Sequence, residues 1–116
     1  MDFEKSADGR MLKVILRGEL DSTNVLTLEN KLKTEIKDVS NLIFDMSNLE
    51  YISSAGLRLL LSMQRIMKAQ GTMTVENVNE EIMEIFSVTG FVKILSITNS
   101  ATESKSSLQQ SIKPSA

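Results

Sequence analysis

Leu42-Ile43-Phe44-Asp45-Met46-Ser47-Asn48-Leu49-Glu50-Tyr51-Ile52-Ser53-Ser54-Ala55-Gly56-Leu57 runs from an apolar triplet through a polar stretch into two serines and a leucine-rich segment. The triplet is continuous rather than alternating, which predicts a short central strand covered on both faces. The residues after it, Asp45 to Ile52, read as a polar loop. From Ala55 to Ala69, Leu59, Leu60, Met63, Ile66 and Met67 gather on one side of a helix, with Arg58, Ser62 and Arg65 on the other and Gly71 as the stop. Loops at the carboxyl ends of strands are where open α/β sheets carry their functional groups, so the search for a site starts here.

Upstream, Leu12, Val14 and Leu16 alternate with Lys13, Ile15 and Arg17, the period of a half-buried strand. Ala7-Asp8-Gly9-Arg10 before it supplies an Asp-Gly turn, so residues 2 to 6 are expected to pair antiparallel with that strand. Asp21, Ser22 and Thr23 offer N-cap oxygens to a helix whose Val25, Leu28, Leu32 and Ile36 share one face, with Glu29 and Lys33 as an outward pair. Downstream come a strand at Thr72 to Glu76 and a helix from about Glu80, capped by Asn79, with Ile82, Ile85 and Phe86 inward and Gly90 as its stop. A last strand is expected at Ile94 to Thr98. The order ββαβαβαβ predicts an α/β domain with a mixed, mostly parallel sheet opened by an antiparallel hairpin.

Composition narrows the chemistry. The 116 residues are 41% hydrophobic and 24% charged, the proportions of one globular domain. Cysteine, histidine and tryptophan are absent, which removes disulfides, thiolate and imidazole chemistry and every metal site needing Cys or His. A formal charge of −2 gives no electrostatic reason to expect nucleic-acid binding. No apolar run is long enough to span a membrane. The start, Met1-Asp2-Phe3-Glu4-Lys5, is acidic where a secretory signal is basic and then apolar, so the expected compartment is the cytoplasm. Ser recurs at positions 100, 104, 106, 107, 111 and 115, so a domain over residues 1–98 and a flexible tail over 99–116 are expected. The seven methionines read as core filler.

Ser53 and Ser54 open a helix, where unpaired N–H groups and the positive end of the macrodipole would receive a phosphate without a basic cluster. Either serine is a candidate phosphoacceptor; either is also an ordinary N-cap. Gly56 could admit a partner's backbone close to the turn. Asp45 likewise admits two readings, a site carboxylate or a residue that bonds the loop amides after it.

The quoted segment resembles the signature of STAS domains, the family of bacterial anti-sigma factor antagonists. Members carry Asp-Leu-Ser and, after a hydrophobic pair, Asp-Ser-Ser/Ala/Thr-Gly-Leu; here these are Asp45-Met46-Ser47 and Tyr51-Ile52-Ser53-Ser54-Ala55-Gly56-Leu57. Arg17-Gly18-Glu19-Leu20-Asp21 resembles the family's Gly-Glu-Leu/Ile-Asp stretch, and the element order fits. The resemblance implies a non-enzymatic partner switch with no cofactor and no metal. The unphosphorylated domain would bind a serine-kinase anti-sigma factor and free the sigma factor. Phosphorylation at Ser54, two before Gly56, would inactivate it, and a phosphatase would reset it. Ser53 stands where the family usually has Asp and is the runner-up acceptor. The expected partner surface comprises Asp21, Ser22, Thr23, Asn24, Ser47, Ser53, Ser54, Gly56, Arg58, Ser62 and Arg65, on a chain that is monomeric when free.

Three other readings compete with this one. A STAS subunit of a regulatory assembly or a transporter accessory keeps the fold and changes the client. A receiver domain phosphorylated on Asp45 with Mg²⁺ needs an acidic pair and a late lysine, and the sequence offers Glu19 and Asp21 but no lysine in Val75-Glu76-Asn77-Val78. Nucleotide hydrolysis lacks a Gly-rich loop ending in Lys.

Overall fold

A computed structural model describes residues 1–98; the Ser-rich stretch 99–116 lies outside the described residues. The elements are β1 (Asp2–Lys5), β2 (Met11–Leu20), α1 (Val25–Glu35), β3 (Asn41–Ile52), α2 (Ser54–Gln70), β4 (Thr72–Glu76), α3 (Glu80–Thr89) and, after a 3₁₀ turn at Phe91–Lys93, β5 (Ile97–Thr98). They form a five-stranded sheet in the order β1-β2-β3-β4-β5, antiparallel at β1–β2 and parallel elsewhere, with β3 in the centre.

The opening hairpin turns on four residues. Gly9 alone carries the positive φ, 74°, while the Gly9 N–H bonds the Ser6 carbonyl at 3.0 Å and Ser6 Oγ accepts the Met11 N–H at 3.0 Å. The Asp8 carboxylate accepts the Ser6 hydroxyl and the Arg10 N–H, so the Asp of the expected Asp-Gly pair fixes the loop by its side chain.

Period-2 alternation, carried across the parallel register, sorts the sheet into two unlike faces. Leu12, Leu42 and Met73 lie in one row and Val14, Phe44 and Val75 in another, all buried beneath the helices with Leu28, Leu32, Leu60, Met63, Met67, Ile82 and Phe86. The alternate rows, Lys13-Ile43-Thr74 and Ile15-Asp45-Glu76, are largely half-buried. Ile43 therefore corrects the expectation of a strand covered on both faces, because the described helices bury the other face. Met46, Met63, Met67 and Met73 are core residues and Met83 packs against the core, as filler methionines should, whereas Met1 and Met11 at the ends of the hairpin strands are exposed, which corrects the reading for those two.

Two element bounds differ from the sequence reading. The polar stretch after Phe44 is strand, since β3 continues to Ile52 beside β2 by way of two register shifts, between Ile15 and Arg17 and between Gly18 and Glu19. The last strand starts later than expected, because Ile94 and Leu95 donate back to the Phe91 carbonyl and keep the chain turned until Ile97.

Candidate functional site

The end of β3 is tied to the end of β2 where the Ser53 N–H donates to the Leu20 carbonyl at 2.9 Å. This places the loop from Asp21 to Asn24 beside the start of α2. The loop braces itself with the polar residues expected to cap α1. Asp21 Oδ1 accepts the Thr23 N–H and hydroxyl at 3.0 and 2.6 Å, while Asn24 accepts the Asp21 N–H at 3.0 Å and donates to the Glu19 carbonyl at 2.8 Å. The N-cap position of α1 falls on Asn24 and has no side-chain cap bond, which corrects the assignment to Asp21, Ser22 or Thr23. Those hydrogen bonds from Thr23 hold the Asp21 carboxyl below its usual pKa, so it is a fixed negative charge near neutral pH.

The two serines separate by geometry. Ser53 is the N-cap of α2, in extended backbone, and its Oγ accepts the Gly56 N–H at 3.4 Å. Ser54 is the first residue of the helix and is exposed. Gly56 is buried: a Cβ there would lie 2.6 Å from Ile52 Cγ1 and 3.0 Å from the Leu20 carbonyl oxygen. Its small size serves close packing of helix on strand, which corrects the idea that it opens the turn to a partner. Gly56→Ala is expected to cost about 1–3 kcal/mol by overpacking, read as a lower midpoint in urea at unchanged slope.

Beyond Ser54, Arg58 is exposed and Ser62 half-buried, and both line a cleft of about 320 Å³ between α1 and α2 with Val25, Glu29, Ala55 and Leu59. Arg65 is exposed two turns further on, about 10 Å along the helix. Ser47 is not beside them. It sits on β3 six residues before Ser53, up to about 20 Å away along an extended chain, because the expected loop is strand. Sequence reasoning missed Glu29 as a cleft residue and the exposed Leu26 and Tyr51 that flank this end. A leucine off the apolar stripe of α1 was the available signal for Leu26.

Asp45 belongs to the strand's irregularity. It is 9% exposed; Oδ1 accepts the Ser47 N–H at 3.0 Å and the Asn77 Nδ2–H at 3.3 Å, and Oδ2 lies 3.8 Å from Lys13 Nζ. Burial pushes its pKa up, but the hydrogen bonds from Ser47 and Asn77 and the Lys13 charge outweigh this and hold it below the usual value. Asp45 thus takes the amide-bonding reading, and among the described residues no three His, Cys, Asp or Glu gather as a metal site. A carboxyl with a lowered folded pKa stabilises fully above its unfolded pKa, about 3.9, and loses that contribution as pH falls through the folded value. Asp45→Asn is therefore expected to be about 1 kcal/mol less stable than wild type at pH 7. The gap should close toward pH 2 in denaturant titrations, and a gap that persists there contradicts the assignment.

No helix among the described residues is long and apolar enough to cross a membrane. Residues 2–105 match the STAS domain family. The chain is 34% identical over 92 residues, 78% of its length and 79% of the relative's, to BtrV of Bordetella bronchiseptica, which carries the name anti-sigma factor antagonist. It is 26% identical over 88 residues, 75% of its length and 81% of the relative's, to the anti-sigma-B factor antagonist of Bacillus subtilis. In fold it is similar to the Bacillus cell fate determinant SpoIIAA in its phosphorylated form, with a TM-score of 0.65 at 22% identity over 84% of this chain and 92% of that one.

Proposed function

The chain belongs to the STAS domain family, and from that premise we propose that it is an anti-sigma factor antagonist whose unmodified form binds a serine-kinase anti-sigma factor. Binding frees the sigma factor, and phosphorylation of Ser54 by the same kinase ends it. The observation that carries this reading is the division of labour between the two serines. Ser53 Oγ is used as the helix cap, whereas Ser54 is exposed at the first helical position with its hydroxyl free of any described partner. In the transfer, the γ-phosphoryl group passes from ATP to Ser54 Oγ; ADP leaves and the hydroxyl proton goes to a base of the kinase.

The added group brings roughly 1.5 to 2 negative charges to a helix N-terminus, where the macrodipole tolerates them and the fold survives. A close-packed partner does not tolerate a bulky hydrated dianion. Affinity therefore changes without a change of fold, each 1.4 kcal/mol being tenfold. The docking surface runs from the loop at Ser22 and Thr23 across Ser54 to Arg58 and the exposed face of α2 as far as Arg65. A phosphatase acting on the phosphoserine resets the switch.

The test is to incubate the chain with its cognate kinase and ATP and map the product by mass spectrometry. One phosphate on Ser54 is expected, with none on Ser54→Ala. A phosphate on Ser53 or Ser47, with Ser54→Ala still fully modified, sinks the assignment.

A further inference from the structure

Ser54 and Arg58 are four residues apart on α2, and both are exposed. At that spacing side chains stand one above the other on a helix, about 5–6 Å apart at Cβ, and an anion on the N-terminal side of a cation is the favourable order. Arg58 forms no ion pair among the described residues. It lines the α1–α2 cleft with Glu29, whose carboxylate is held by Lys33 at 3.5 Å. Glu19 and Asp21 stand at the end of β2 and Glu50 near the end of β3, the end of the sheet from which α2 starts.

We propose that Arg58 is the intramolecular receptor for a phosphate on Ser54, an inference that rests on reading Ser54 as the acceptor. A guanidinium presents a planar fork of N–H donors that matches two phosphate oxygens, which a lysine ammonium meets only as a point charge. Without it, the phosphate dianion is met only by the N-terminal dipole of α2. The pairing has a second effect. It draws Arg58 away from the cleft, whose Glu29 is already paired with Lys33, so a partner meets a new dianion and loses the guanidinium it would otherwise meet. Phosphorylation then acts on the docking face at two points one helical turn apart.

The experiment places phosphoserine at position 54 during translation and follows its ³¹P resonance against pH, in wild type and in Arg58→Ala, Arg58→Lys and Arg65→Ala. A nearby cation favours the dianion and lowers the second phosphate pKa, which is about 6 when unperturbed. Wild type is expected to titrate about 0.2–0.4 unit below Arg58→Ala, with Arg58→Lys between them and Arg65→Ala like wild type. Equal titration of wild type and Arg58→Ala overturns the proposal, as does an equal shift in Arg65→Ala, which would mark a diffuse charge effect. Because the phosphate is built in by translation, a kinase that leaves Ser54 unmodified counts against the functional reading alone.

Discussion

Gly71→Ala is expected to lose about 3 kcal/mol of stability, a substantial part of the 5–15 kcal/mol that holds a typical domain together. A Cβ at Gly71 would overlap the carbonyl group of Ser40, at the start of β3, and both atoms of that carbonyl are backbone. The two segments are locked there: the Thr72 N–H donates to the Ser40 carbonyl at 2.9 Å, and the Gly71 N–H donates to the Met67 carbonyl at 2.6 Å to close α2. Gln70 adds bonds from its Nε2 to the Ile36 and Val39 carbonyls at 2.8 and 2.7 Å. No rotamer change relieves a clash with a main-chain carbonyl, so strand β4 must shift or the contact must open. At about 4–8 °C per kcal/mol for a domain of this size, the thermal midpoint should fall by roughly 12–24 °C by circular dichroism. A drop of only a few degrees would mean that the β3–β4 register is more yielding than its hydrogen bonds indicate.

The second large effect is on binding. Ser54→Asp is expected to weaken binding to the proposed kinase partner about tenfold or more while leaving stability within about 0.5 kcal/mol. A carboxylate at the first helical position is favourable to the helix and unfavourable to a close-packed partner. Its single charge falls short of a phosphate's, so the loss should be smaller than that caused by phosphorylation itself. Ser54→Ala should bind as wild type does, since the cap bond comes from Ser53. Arg58→Glu should weaken binding in the same direction without unfolding the domain, because its side chain is exposed. Isothermal titration of the four proteins checks the order, and unchanged affinity for both Ser54→Asp and Arg58→Glu would place the interface elsewhere.

Much of the architecture was legible because the helices obey their stripes. Leu28 and Leu32 on α1, Ile36 just past its end, and Leu59, Leu60, Met63 and Met67 on α2 are buried as their spacing predicts, with Val25 and Ile66 of the same faces half-buried. The Asn79 cap was legible for the same kind of reason, its Oδ1 accepting the Ile82 N–H at 2.9 Å. The second half of β3 was not. Its buried apolar positions run Leu42, Phe44, Met46 and then Leu49 and Ile52, because two register shifts break the alternation that marks a strand. A period of three in a polar sequence reads as loop. That the central strand has an open face was hidden too, since a continuous apolar triplet carries no information on which side helices will cover.

At the site, the two serines were identified in sequence, but their roles needed the backbone. Only the extended conformation of Ser53 and its bond from Gly56 separate cap from exposed hydroxyl. Gly56 was found and misread, because an absent side chain serves close packing and partner access equally well on paper. Asn77 and Lys13 come to Asp45 from two different strands or their ends, a convergence with no local signal.

Displacement of a fluorescently labelled sigma factor from its serine-kinase anti-sigma factor tests the central claim most directly. Added unmodified chain should release the sigma factor in a saturable fall of anisotropy, and the chain carrying phosphoserine at position 54 should need at least tenfold more protein for the same release. Equal release by the two forms would contradict the switch, and no release by either would contradict antagonism itself.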